Sequence, residues 1–158
     1  MGFLQWVNGF FERKAGNLGA ALTSLQSAKP EPDEIDELNF RKAVDAHQIW
    51  KNRLHNYING ASDETLDPAV IARPEKCVLG KWMTRIGNAR YGEEKLYQNL
   101  QAAHGQFHFL ASQVVLAVHN GNREQALKML NQGEYQASAL KVVSLLARLY
   151  HRCQDGTI

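Results

Sequence analysis

The chain has 158 residues, of which 44% are hydrophobic and 22% charged, and it carries a net charge of +2. That length supports one domain with a core of its own, so a metal would add to the fold rather than create it. The charge is mild and the basic residues are scattered rather than gathered into a stripe, which argues against nucleic-acid binding. With only two cysteines, Cys77 and Cys153, this is not a disulfide-rich secreted scaffold.

Residues 1–29 read as a separate amphipathic segment, with Leu4, Val7, Phe11, Leu18, Ala21 and Leu25 at heptad-like spacing. Gly9, Gly16 and Gly19 weaken it, since each glycine costs roughly 1 kcal/mol against alanine inside a helix. Its apolar stretch is too short and interrupted to span a bilayer, and no charged region precedes it, so the expectation is a cytoplasmic protein with no membrane span. The break K-P-E-P-D at 29–33 follows, and Asp33 is the expected N-cap of a helix from Glu34 to Asn59 that stops at Gly60. The apolar stripe of that helix is Phe40, Ala43, His47, Trp50, Leu54 and Tyr57, which turns His47 inward.

A loop with Pro68 and Pro74 is expected to hold a short turn from Asp67 to Ala72, and Cys77 precedes a brief helix over Leu79–Ile86. A long helix from Glu93 to His119 carries Tyr97, Leu100, His104, Phe107, Ala111, Val114 and Val118 on one face. After N-G-N at 120–122, a last helix from Arg123 to His151 turns Ala126, Leu130, Leu140, Val143, Leu146 and Leu149 inward. Nothing alternates with the period of a strand. The pattern is all-α, an antiparallel four-helix-type bundle over 33–151 with a short extra helix carrying the cysteine loop. Residues 152–158 read as a polar tail in which Cys153 is an exposed free thiol.

Taken singly, His47 reads as a hydrogen-bonded core histidine, the pair His104 and His108 only as two rings on one helical face, and Cys77 as a small buried hydrophobe. Together they differ: three imidazoles on or beside inward stripes are costly to bury without a common partner. Cys77 supplies a fourth donor near a helix N-terminus, which favours its thiolate, and Gly80 lets the backbone pack close. Three nitrogens and one sulfur fill a tetrahedral Zn²⁺ site, one ion per chain, and a filled site binds or senses rather than hydrolyses. The chain has no Glu-x-x-His pairs for a di-iron centre and no C-x-x-C-H for haem attachment. His55, His119 and His151 read as surface or capping residues; Trp50, Trp82, Phe107 and Phe109 as core around the site; Asp45, Gln48 and Glu134 as groups able to orient the ligands.

A-H-Q-I-W-K-N-R-L at 46–54, C-V-L-G-K-W at 77–82 and H-G-Q-F-H at 104–108, with R-Y-G at 90–92 between them, resemble the chemoreceptor zinc-binding (CZB) domain family over residues 33–150. The resemblance implies a three-His, one-Cys zinc site made by His47, Cys77, His104 and His108, in a domain that commonly forms a homodimer. It also implies service to chemoreceptor or diguanylate cyclase signalling, with zinc or oxidation of the cysteine changing the output. No receptor or cyclase region accompanies the domain here, and the initial methionine leads to the expectation of a stand-alone form acting on an unidentified signalling partner. The expected function is therefore a non-enzymatic zinc or oxidant sensor in chemotaxis or cyclic-di-GMP signalling. The alternatives are a structural zinc protein or zinc buffer, and, further off, a zinc hydrolase, for which no H-E-x-x-H or comparable base is present.

Overall fold

The computed structural model describes residues 33–158, and the amphipathic segment expected over 1–29 lies outside them. The described chain begins with a small hairpin. Strands β1 (Glu34–Ile35) and β2 (Leu38–Asn39) pair antiparallel, Ile35 opposite Leu38, through a turn in which Asp36 and Glu37 have φ of 51° and 66°. A two-residue hairpin turn of type I′ requires that left-handed backbone at both central positions. Strands this short leave no period in the sequence, and the hairpin displaces the expected start of the first helix. Asp33, at φ 70°, does not cap it; Asn39 does, its Oδ1 accepting the Lys42 N–H at 2.9 Å.

Helix α1 (Phe40–Gln48) and helix α2 (Trp50–Ile58) form one nearly continuous rod, because the Ile49 N–H still bonds the Asp45 carbonyl across the junction. The rod stops as expected at Asn59, with Gly60 at φ 68°. Asp67 then caps the single turn α3 (Pro68–Ile71), its carboxylate accepting the Ala69 N–H at 2.8 Å. A 3₁₀ turn (Pro74–Lys76) leads to α4 (Val78–Trp82), a π turn (Met83–Gly87) and α5 (Asn88–Tyr91). The brief helix expected over 79–86 thus continues to Tyr91. A π turn disturbs the regular ladder of carbonyls, and the carbonyl of Met83 accepts the Tyr97 hydroxyl at 2.6 Å.

Helix α6 (Lys95–His119) is the long central element. The single last helix expected over 123–151 is two: α7 (Arg123–Asn131), capped by Asn122, and α8 (Glu134–Gln154). They part at Gly133, whose φ of 126° suits glycine alone. The break resets the helical phase. Leu140, expected inside, is 64% exposed, and Val142 is buried in place of Val143, which is half-exposed; Leu146 and Leu149 remain inside as expected. Because α8 runs to Gln154, Cys153 lies one turn beyond the buried Leu149 and is half-buried against the core, not exposed in a tail.

The directions of the long elements follow from their contacts. His47 meets His104, Trp50 meets Phe107 and Tyr57 meets His119, so the α1–α2 rod runs parallel to α6. Tyr135 meets Phe107 while Arg152 pairs with Glu94, and Phe40 meets Tyr150, so α8 runs antiparallel to both. The parallel pairing arises because residues 60–94 form a long crossover built of short helical pieces rather than a tight turn. The result is an all-α bundle, with α6 packed on α3, α7 and α8 and with Leu54, Leu100, Phe107, Val114, Leu130 and Leu146 fully buried. Phe109, placed by sequence in the core, is 51% exposed on the outer face of α6.

Candidate metal centre

Each donor is delivered by a different local rule. His47 lies one turn beyond Ala43 on the buried stripe of α1, while His104 and His108 stand one turn apart on the buried face of α6. Cys77 arrives as the N-cap of α4, its Sγ accepting the Gly80 N–H at 3.3 Å. That geometry depends on Gly80: a Cβ there would lie 1.8 Å from the carbonyl oxygen of Pro74. The glycine of C-V-L-G-K-W therefore allows the 3₁₀ turn and α4 to fold onto each other, the role expected for it.

The donor atoms of His47, Cys77, His104 and His108 all lie within 4.8 Å of one another, and all four residues are buried. His104 is the hub: its Nε2 is 3.2 Å from the Cys77 sulfur and 3.1 Å from Nε2 of His108. Tetrahedral zinc with bonds of about 2.0–2.3 Å separates its ligands by roughly 3.3–3.6 Å, close to the 3.1 and 3.2 Å separations at His104 and inside the 4.8 Å that bounds the whole cluster.

Main-chain carbonyls fix which nitrogens face inward. His47 Nδ1 is 2.7 Å from the Ala43 carbonyl and His108 Nδ1 is 2.8 Å from that of Ile71. A carbonyl only accepts, so each Nδ1 carries the proton and each Nε2 presents a lone pair to the centre. The orienting groups are thus backbone atoms of α1 and α3, not the side chains of Asp45, Gln48 or Glu134. No side-chain signal in the sequence could have found them. Phe107 closes the site with an apolar wall, its ring centroid 5.1 Å from His47 and 5.5 Å from His108. His55, His119 and His151 are exposed and away from the cluster, as expected, with His119 Nε2 2.9 Å from the Tyr57 hydroxyl.

Burial sets the protonation of the donors. It lowers the His47 imidazole to about 4 against the Ala43 carbonyl, and lowers His108 against the opposing Ile71 carbonyl and Glu75. His104 falls well below its ordinary value, first through burial and then through the charges of His108 and His47. All three are neutral at pH 7, the form that ligates. Burial pushes the Cys77 thiol up to about 11, overriding the Gly80 N–H, so the helix terminus alone does not hold a thiolate, contrary to the sequence expectation. Only a cation at the centre would do that.

A pH dependence follows. The histidines are depressed in the fold, so the unfolded chain binds more protons below its His pKa of about 6.5. Their contribution to the metal-free protein's stability is complete above that pH and is lost as pH falls toward 4. For His47 alone the loss amounts to roughly 3 kcal/mol, at 1.36 kcal/mol per unit. Thermal melts of chelated protein are expected to be flat from pH 7 to 8 and to fall steeply between 6.5 and 4.5; a flat profile to pH 4.5 would mean that the imidazoles are hydrated.

Among the described residues, no helix is long and apolar enough to cross a membrane. No curated protein and no solved structure matches the chain significantly. A family model does: residues 47–115 match the chemoreceptor zinc-binding domain, a span that opens on His47 and contains all four converging donors. Over residues 47–115, the chain is similar to the chemoreceptor zinc-binding domain family.

Proposed function

We propose that His47, Cys77, His104 and His108 bind one zinc ion per chain and that the domain is a non-enzymatic sensor of zinc or oxidant. It would act as a cytoplasmic homodimer on a chemotaxis or cyclic-di-GMP signalling partner. The convergence of four donors within 4.8 Å carries the proposal, since four protein ligands leave no open position for a substrate. Bound zinc would supply the positive charge that keeps the Cys77 sulfur a thiolate and would tie the cysteine loop to α1 and α6. An oxidant of the peroxide class would meet that thiolate. Sulfur takes one oxygen atom as the O–O bond breaks, giving a sulfenic acid, and the remaining hydroxide leaves as water after gaining a proton. The oxidised sulfur is a poor ligand, and the loop is released.

One observation favours a purely structural zinc: Cys77 is only 8% exposed, so an oxidant must reach a covered sulfur. The experiment separates the readings. X-ray absorption of purified protein is expected to give one zinc with three nitrogens near ~2.0 Å and one sulfur near ~2.3 Å, and binding at pH 7.5 is expected to release about one proton, from Cys77. Only nitrogen and oxygen neighbours would remove Cys77 from the site. Peroxide treatment of wild type and Cys77→Ser then decides between sensor and structural metal: zinc release confined to wild type supports sensing, whereas retained zinc with an unmodified Cys77 supports the structural role.

A further inference from the structure

The helical stretch that begins at Cys77 ends on the hairpin at the start of the described chain. Val78–Tyr91 is one body: α4, the π turn and α5 follow without a gap, and Gly87 lies so close to the Trp82 ring that a Cβ would come within 2.8 Å of it. Cys77 caps one end. Along this body, three side chains, Trp82 at the end of α4 and Arg90 and Tyr91 in α5, grip a single residue of the hairpin, Asp36. The Trp82 indole N–H donates to its carbonyl at 2.8 Å, the Tyr91 hydroxyl donates to its carboxylate, and Arg90 pairs with that carboxylate at 2.7 Å. The other end of the hairpin is held from α8 and α1: Asp33 accepts the Tyr150 hydroxyl at 2.8 Å and pairs with Arg41 at 2.7 Å.

The hairpin is also backbone-strained. Asp33, Asp36 and Glu37 all have φ between 51° and 70°, a region that non-glycine residues occupy at a cost and keep only when their surroundings hold them there. The grip on Asp36 is such a surrounding, and it comes from the body whose first residue, Cys77, belongs to the donor cluster. We propose that Val78–Tyr91 acts as a lever: it couples ligation at Cys77 to the 33–39 hairpin through Trp82, Arg90 and Tyr91, and so passes the state of the metal site to the point where residues 1–32 join the bundle. The proposal rests on Cys77 being a metal ligand, as proposed above. With Cys77 ligated, the body is pinned at its N-terminal end and Asp36 is held in its left-handed conformation. With Cys77 released, the cap is free to move, the indole loses its fixed approach to the Asp36 carbonyl, and the strained turn relaxes.

Coupling of this kind is reciprocal, which supplies the test. In zinc-loaded full chain, the Trp82 indole N–H and the amides of 34–40 are expected to be protected from hydrogen exchange. Chelation is expected to speed exchange there at least tenfold, together with residues 75–82, while α7 changes less than twofold. In the other direction, Trp82→Phe, which keeps the ring and removes the donor, is expected to weaken zinc binding at least threefold in a chelator competition. So is Asp36→Asn, which keeps a residue that tolerates positive φ and removes the charge. Circular dichroism of both variants checks that they are folded. Backbone-amide exchange that rises at 75–82 without a rise at the Trp82 indole N–H or the amides of 34–40, with affinities unchanged in both variants, would overturn the lever and leave the zinc site standing. Zinc binding that survives Cys77→Ala undiminished would overturn both.

Discussion

Substituting alanine for His104 is expected to lower zinc affinity on the order of a hundredfold. Structural zinc sites with four protein ligands bind with an apparent 10–16 kcal/mol, so one ligand carries roughly 3 kcal/mol. His104 is the ligand whose loss should be felt most, because its Nε2 lies within 3.2 Å of both the Cys77 sulfur and the His108 nitrogen. No exposed histidine stands by to replace it. Competition against a chelator of known affinity measures the change, and a shift of less than threefold would mean that the ion sits elsewhere. His119→Ala serves as the control, since that ring is exposed and bonded to Tyr57 at the far end of α6.

Gly80→Ala is expected to be the most damaging single-atom-scale change in the described chain, at about 3 kcal/mol of stability with loss of most zinc affinity. Its Cβ would fall 1.8 Å from the Pro74 carbonyl oxygen and 2.5 Å from the carbonyl carbon, and both are backbone atoms that no rotamer change can move. Relief requires the 3₁₀ turn and α4 to separate, and that separation carries Cys77 away from the three histidines. Urea melts of the chelated proteins isolate the fold penalty, and zinc titration of the folded variant isolates the site penalty. Gly105→Ala, where a Cβ meets nothing within 4 Å, should cost nothing in either measurement. Equal behaviour of the two variants would show that the Pro74 contact yields easily.

The cluster of four donors was legible because they are side chains of distinctive chemistry at helical spacing, and three of them fall on or beside apolar stripes that survive into the fold. Gly80 was legible for a related reason, since a glycine three residues after a candidate ligand cysteine announces close packing. What sequence reading missed is backbone. The carbonyls of Ala43 and Ile71, which orient His47 and His108, have no residue type attached to them. The hairpin at 34–39 is too short for periodicity, and its strained residues are aspartate and glutamate where glycine or asparagine would have signalled a turn. Asn39, three residues before Lys42, was the readable sign that the helix begins late. The split of the last helix hinged on Gly133, and a single phase carried through it put Leu140 on the wrong face.

The two carbonyls that aim His47 and His108 have one more consequence, for how such a site tolerates change over generations. Where side chains orient metal-bound histidines, a point mutation can delete the orienting group and cut affinity 10–100-fold. Here any residue at position 43 or 71 that keeps its helix keeps the carbonyl, so the codons at those positions are free of that constraint. The burden of inheritance then falls on few positions: the four donors, and Gly80 beneath the one that comes from a loop. Such a domain can diverge widely over its surface and retain the same centre.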